Sequence, residues 1–309
     1  MGIGLMDSAD DFLLGKPKHP ELLEFLADSL RANQFDAKKL IRQILLSHTY
    51  QRLASDSPAL VENFAARKIK TMTAEQIVDS LFSVSSKTMS IGEISFDPEG
   101  RRTADTFLNL GEPRRAWELT SLANERDRPA LALPRAQSVV DILSAFGWRE
   151  SRPNPISERD ASKTLVQPLV IANGDASHRV TQLSDDSIFT KMSVKAEGLE
   201  SLIESVFLQT ISRRPSPEEV QISKELLVSG YESRLNPGAS PAPVYSHQFR
   251  TAVSWSNHLH PDATRIKMEI EQAVRKGDFS TKQLKPDWRE RMEDLVWALL
   301  NSPEFVLIK

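Results

Sequence analysis

From Trp288 to Leu300, apolar side chains return every three or four residues, as Trp288, Met292, Leu295, Val296, Leu299 and Leu300. The run then meets Asn301 and Pro303. That spacing puts all six on one face of an α-helix, and a face so apolar must be buried against other elements. The same pattern recurs along the chain. Leu22, Leu23, Phe25, Leu26 and Leu30 follow Pro20, a residue suited to a first helical position. Leu40, Ile41, Ile44, Leu45 and His48 follow Asp36, a good N-cap, which would bury His48 as a satisfied histidine.

Stop and start signals support the reading. Thr73-Ala-Glu-Gln76 and Ser216-Pro-Glu-Glu219 have capping-box spacing, in which a hydroxyl and the side chain three residues on satisfy each other's backbone N–H. They lead into Ile77, Val78, Leu81 and Phe82, and into Val220, Leu226 and Leu227. Leu199, Leu202, Ile203, Val206 and Phe207 form a further stripe, and Ile266, Ile270 and Val274 another, opened by Asp262 and ended by Gly277. Leu165 to Ile171 fits a strand or a helix face, and Pro168 weakens both.

The expected fold is therefore all-α: an irregular multi-helix domain with long loops, at most a few short strands, and one domain over 1–309. Stretches 83–115, 147–160 and 232–246 lack periodicity. The last, rich in Pro, Gly, Ser and Asn, is expected to be a surface loop.

Composition removes several chemistries. With no cysteine there is no disulfide, thiolate metal site, thiol nucleophile or covalent haem attachment. A net charge of −3 gives no global reason to bind nucleic acid, and no apolar run is long enough to span a membrane. The opening Met1-Gly2-Ile3-Gly4 is too short for a signal peptide, and its two glycines do not make a dinucleotide fingerprint.

Three groups of polar residues are candidates for a site. Asp10 and Asp11, beside Asp7 and His19, offer oxygen and imidazole ligands, yet aspartates at a turn ordinarily cap backbone. His258, His260 and Asp262, with His247 nearby, crowd three ligands into one turn. Zinc sites more often spread theirs along a helix, so no bound metal is expected. Arg149, Arg152 and Arg159 could clamp an anion bidentately, although Glu158 and Asp160 beside them point to internal ion pairs. Arg213-Arg214-Pro215 carries the same two readings.

A resemblance joins these segments. Gly2-Ile-Gly4-Leu-Met6, Pro17-Lys-His-Pro-Glu-Leu-Leu23, Leu40 to Gln51, Phe146-Gly-Trp-Arg149, Leu165 to Gly174, Leu208 to Pro215 and Trp288 to Phe305 form a specific combination. It resembles the C-terminal domain of unknown function in large secreted planctomycete proteins of the cytochrome-c-associated, PSD type. The resemblance implies a periplasmic or extracellular location. It implies preceding domains in a parent protein, one of which often attaches c-type haem, while this chain holds no cofactor. It further implies secreted sulfatase-like neighbours, but no activity and no catalytic residue. Relative to that family the chain lacks an apolar helix before Gly2, and the usual cysteine before Glu158-Arg159 falls at Ile156 or Ser157.

Two functions follow as expectations. The first is a non-catalytic scaffold or interaction domain of a secreted redox or polysaccharide-processing protein, with 83–115 and 232–260 as contact surface. The alternative is a hydrolase or carbohydrate-binding module using Asp10, His19 or His258. Without the preceding helix, an uncovered apolar groove is expected to drive self-association.

Overall fold

Thr73 accepts the backbone N–H of Gln76, and the Gln76 side chain accepts the N–H of Thr73, so a complete capping box opens the first helix of the larger core. The computed structural model describes residues 3–6, 15–91, 113–122, 134–148, 164–241, 259 and 261–308. Over these the protein is mostly helical, with two very short two-stranded pairings. Two compact units emerge, residues 1–72 with 306–309, and residues 73–305.

The first unit contains α1 (Pro20–Ala32), α2 (Ala37–Leu45), β1 (Ala54–Ser55), α3 (Pro58–Glu62), β2 (Arg67–Lys68), β3 (Lys70–Thr71) and β4 (Leu307–Ile308). β1 and β2 pair in parallel, and β3 and β4 antiparallel, with Lys70 opposite Ile308. Asp36 caps α2 by accepting the N–H groups of Lys38 and Lys39. α1 and α2 lie against each other, yet neither contains a buried residue. Their apolar stripes are helical as expected but largely face solvent. His48 lies three residues past the end of α2 and is exposed, which corrects its expected burial: the helix ends before the stripe reaches it.

The second unit runs through α4 (Ala74–Ser85), α5 (Ala116–Leu122), α6 (Pro134–Ala145), α7 (Val166–Asn173), α8 (Asp175–Thr181) and α9 (Ile188–Lys195). It continues with α10 (Leu199–Ile211), α11 (Pro217–Leu227), α12 (Ala263–Lys276), α13 (Pro286–Leu300) and α14 (Pro303–Val306). α4 packs on α6, α8 and α9, while α13 packs on α8, α10 and α11. Ile77, Val78, Leu81, Ile203, Val206, Trp288, Met292 and Val296 are closed from solvent. The stretch that read as strand or helix is α7. Pro168 is its third residue, where a missing N–H costs nothing because the first N–H groups of a helix have no internal partner.

The described part of the irregular stretch after α11, residues 232–241, forms turns, with Leu235 bridging to Leu284. It is anchored by Arg234, which is only 6% exposed. The guanidinium donates to the carbonyls of Ser193, Tyr231 and Ala196 at 2.6–3.0 Å and lies over the Tyr231 ring. Two of those carbonyls belong to the C-terminal end of α9, where the aligned peptide dipoles favour a cation.

Candidate functional site

Of the candidates read from sequence, Asp10, Asp11, Arg149, Arg152, Arg159, His258 and His260 lie outside the described residues. His19 stands directly before α1, its Nε2 3.1 Å from the Glu62 carbonyl and its ring edge-on to Phe64. Asp262 stands directly before α12, exposed, with Arg265 3.4 Å away. His19 and Asp262 belong to different units, each engaged with its own neighbours. Among the described residues no three His, Asp or Glu side chains are grouped to hold a metal ion.

Arg213 settles its own two readings. Its guanidinium grips both carboxylate oxygens of Glu219 at 2.6 and 2.8 Å, and donates to Glu304 at 2.6 Å. This is an internal ion network joining the ends of α10, α11 and α14. It holds the Glu219 carboxyl down at about 2, chiefly through the Arg213 hydrogen bonds.

A dense buried polar cluster among the described residues was not a sequence candidate. α4 ends at Ser86 in the left-handed conformation, φ 58°, and the chain turns so that Lys87 points inward. Its side chain has no solvent exposure. The ammonium donates to the carbonyls of Arg179 (2.6 Å) and Gln182 (2.8 Å) at the end of α8, and reaches Asp278 Oδ2 at 3.3 Å. Arg179 donates to the same Oδ2 at 2.9 Å and to the Met89 carbonyl at 2.6 Å, with Phe82 beneath its guanidinium. Burial pulls the Lys87 ammonium below its ordinary pKa, and the Asp278 carboxylate opposes that shift.

A second seam of bonds continues from it. Thr281 N–H donates to the Leu183 carbonyl, and Leu183 N–H to Glu293, both at 2.8 Å. Asp185 accepts from Thr281 Oγ1 and Gln283 Nε2. Burial raises the Glu293 carboxyl, with the Leu183 N–H and Arg289 pulling the other way. Gly277, at φ 69°, turns the chain from α12 toward Asp278. The left-handed conformation calls for glycine, and the nearest atom a Cβ would meet, Gln182 Oε1 at 2.8 Å, is a side-chain end that can swing aside.

Chemically this arrangement fastens. All three hydrogens of the Lys87 ammonium have acceptors, and its side chain is shut from solvent, so it is not presented as a nucleophile or base. No local pattern could have singled it out. Lys87 and Arg179 are 92 residues apart, and Lys87 and Asp278 are 191 apart. The weak clue was Gly277 beside an aspartate at a helix end.

Fold and cluster together define a mostly helical protein that, among its described residues, carries an internal polar clamp. The chain belongs to the family described as PSD1, protein of unknown function (DUF1553), which matches residues 1–227. α12 to α14 lie beyond the match, yet α13 fills the core of the second unit. No curated protein and no solved structure matches the chain.

Proposed function

We propose that the chain is a non-catalytic scaffold or interaction domain of a larger secreted protein. The observation that carries this reading is the closed coordination of Lys87. The Lys87 ammonium, shut from solvent, is fully bonded and ties α4, α8 and the end of α12 together. The resemblance supplies the setting. The chain acts outside the cytoplasm and docks onto the preceding domains of its parent, one of which holds c-type haem, and onto secreted sulfatase-like proteins.

The test is calorimetric titration of the purified chain with the segment that precedes it in its parent. A parallel screen follows chromogenic esters, glycosides and sulfate esters. Saturable binding without turnover is expected. Turnover that Asp10→Asn or His258→Ala abolishes, with no binding to the preceding segment, would establish the hydrolase alternative instead.

A further inference from the structure

Asn173 and Gly174 are the one Asn-Gly pair in the sequence. They form the corner between two helices: Asn173 ends α7, and Gly174 joins it directly to α8. Space requires glycine there, because a Cβ on Gly174 would lie 2.4 Å from the backbone carbonyl oxygen of Val170. Ile171 and Ala176, on either side, are buried. The Asn173 side chain is exposed and makes no hydrogen bond among the described residues.

An asparagine in front of glycine carries its own chemistry. With no Cβ to shield it, the glycine nitrogen is open to approach by the preceding side chain. A bond from Gly174 N to Asn173 Cγ closes a succinimide ring, and the side-chain amide leaves as ammonia, carrying off the Gly174 N–H proton. Water then opens the ring at either carbonyl. The products are aspartate and isoaspartate, the latter with its backbone running through Cβ and Cγ. Water is the only co-reactant.

Two bonds hold the folded corner against this step. The Gly174 N–H donates to the Val170 carbonyl at 3.0 Å, so its nitrogen is engaged. Trp297 Nε1 donates at 2.9 Å to the Ala172 carbonyl, one of the last in α7 and so without a partner inside the helix. That bond fixes the peptide joining Ala172 to Asn173. It keeps Asn173 at helical dihedrals, which ψ must leave before the ring closes.

We propose that Asn173 is a latent deamidation site, held closed by the Trp297 indole and released when the α7–α8 corner opens. Opening and closing are fast beside ring closure, so the rate of modification tracks the population of the open corner. The isoaspartate product does not return to the native corner, since a position with no room for a Cβ has none for an added backbone atom. Each opening that reacts therefore leaves a permanent mark, whatever partner the domain binds.

The test is to incubate the purified chain in warm, mildly alkaline buffer and map isoaspartate by peptide mass spectrometry, with circular dichroism as the check on folding. The urea-unfolded chain is expected to accumulate isoaspartate at 173, and the folded chain to lag it by at least about tenfold, the yield of a modest opening energy. Trp297→Phe keeps a ring but loses the donor, and should react about fivefold faster than the folded parent, the yield of one hydrogen bond. In the parent chain, the Gly174 amide should be protected from hydrogen exchange to a degree that matches the lag. A folded chain that deamidates as fast as the unfolded one overturns the proposal. So does an unfolded chain with no isoaspartate at 173, a folded Trp297→Phe variant that reacts no faster than its parent, or an unprotected Gly174 amide.

Discussion

The Lys87 ammonium and the Asp278 carboxylate stand 3.3 Å apart, joined across 191 residues of chain. Arg179 shares the same carboxylate oxygen, so one acid holds two buried cations, Lys87 also bonding carbonyls at the end of α8 and Arg179 the Met89 carbonyl. Removing Lys87 would leave the Arg179 carbonyl and one lone pair of Asp278 without their donor, while the Gln182 carbonyl would keep the Ser184 N–H. Lys87→Met is therefore expected to cost about 3 kcal/mol, the usual scale for breaking a buried charged network. Urea unfolding of the variant beside the parent chain measures it. A loss within experimental error would show that water replaces the ammonium.

Arg234 should be as sensitive and more particular. Its fork reaches three carbonyls while lying on Tyr231, a geometry an ammonium cannot copy. Arg234→Lys is expected to lose about 2 kcal/mol, and Arg234→Met more. Thermal unfolding of both decides the order.

Glu293 runs in the opposite direction. Burial raises its folded pKa above the ordinary carboxylate value, so the folded state binds the proton more tightly than the unfolded state. The cost is full at neutral pH and disappears as pH falls through the raised value toward the ordinary one. Glu293→Gln, which keeps an acceptor for Leu183 N–H, should raise the melting temperature at pH 7. That gain should shrink on acidification. A constant gain across pH would mean that charge is not the cause.

Glu219 shows the conventional acid sign. Held at about 2 by Arg213, it contributes stability above its ordinary value near 4.5 that is lost as pH falls toward 2. A third of its side chain is exposed, so the contribution is discounted to below about 1 kcal/mol. Glu219→Gln should flatten the acid limb of a stability profile without moving the neutral plateau much.

The boundary of the family match does not mark the end of the fold. Trp288 Nε1 donates to the Leu227 carbonyl, and α13 packs on α10 and α11. A chain ending at residue 227 is expected to lose its cooperative thermal transition, because Leu202, Val206 and Phe207 then lose their cover. A sharp transition in that truncated chain would show the last three helices to be an accessory.

Local elements were legible because their causes are local. Both capping boxes, the Asp36 cap, the Gly277 stop and the closing α13 stripe follow from side chains within four residues of the backbone they serve. The α1 and α2 stripes were equally readable as helix, but periodicity says nothing of what lies opposite, and these stripes face solvent. Lys87, Arg179, Arg234 and Glu293 were invisible because each acquires its role from carbonyls or charges brought near only by folding. Short helices such as α8 carry too few turns for a period to register.

One ammonium grips the carbonyl end of α8, the segment just past α12, and its own turn after α4. Such ends ordinarily fray independently, each with its own small opening energy. Here none can lift without breaking bonds that the other two share. In native-state hydrogen exchange, the amides of Lys87, Gln182 and Thr281, all bonded to backbone carbonyls, should open as one cooperative class. Their opening energy should approach that of global unfolding.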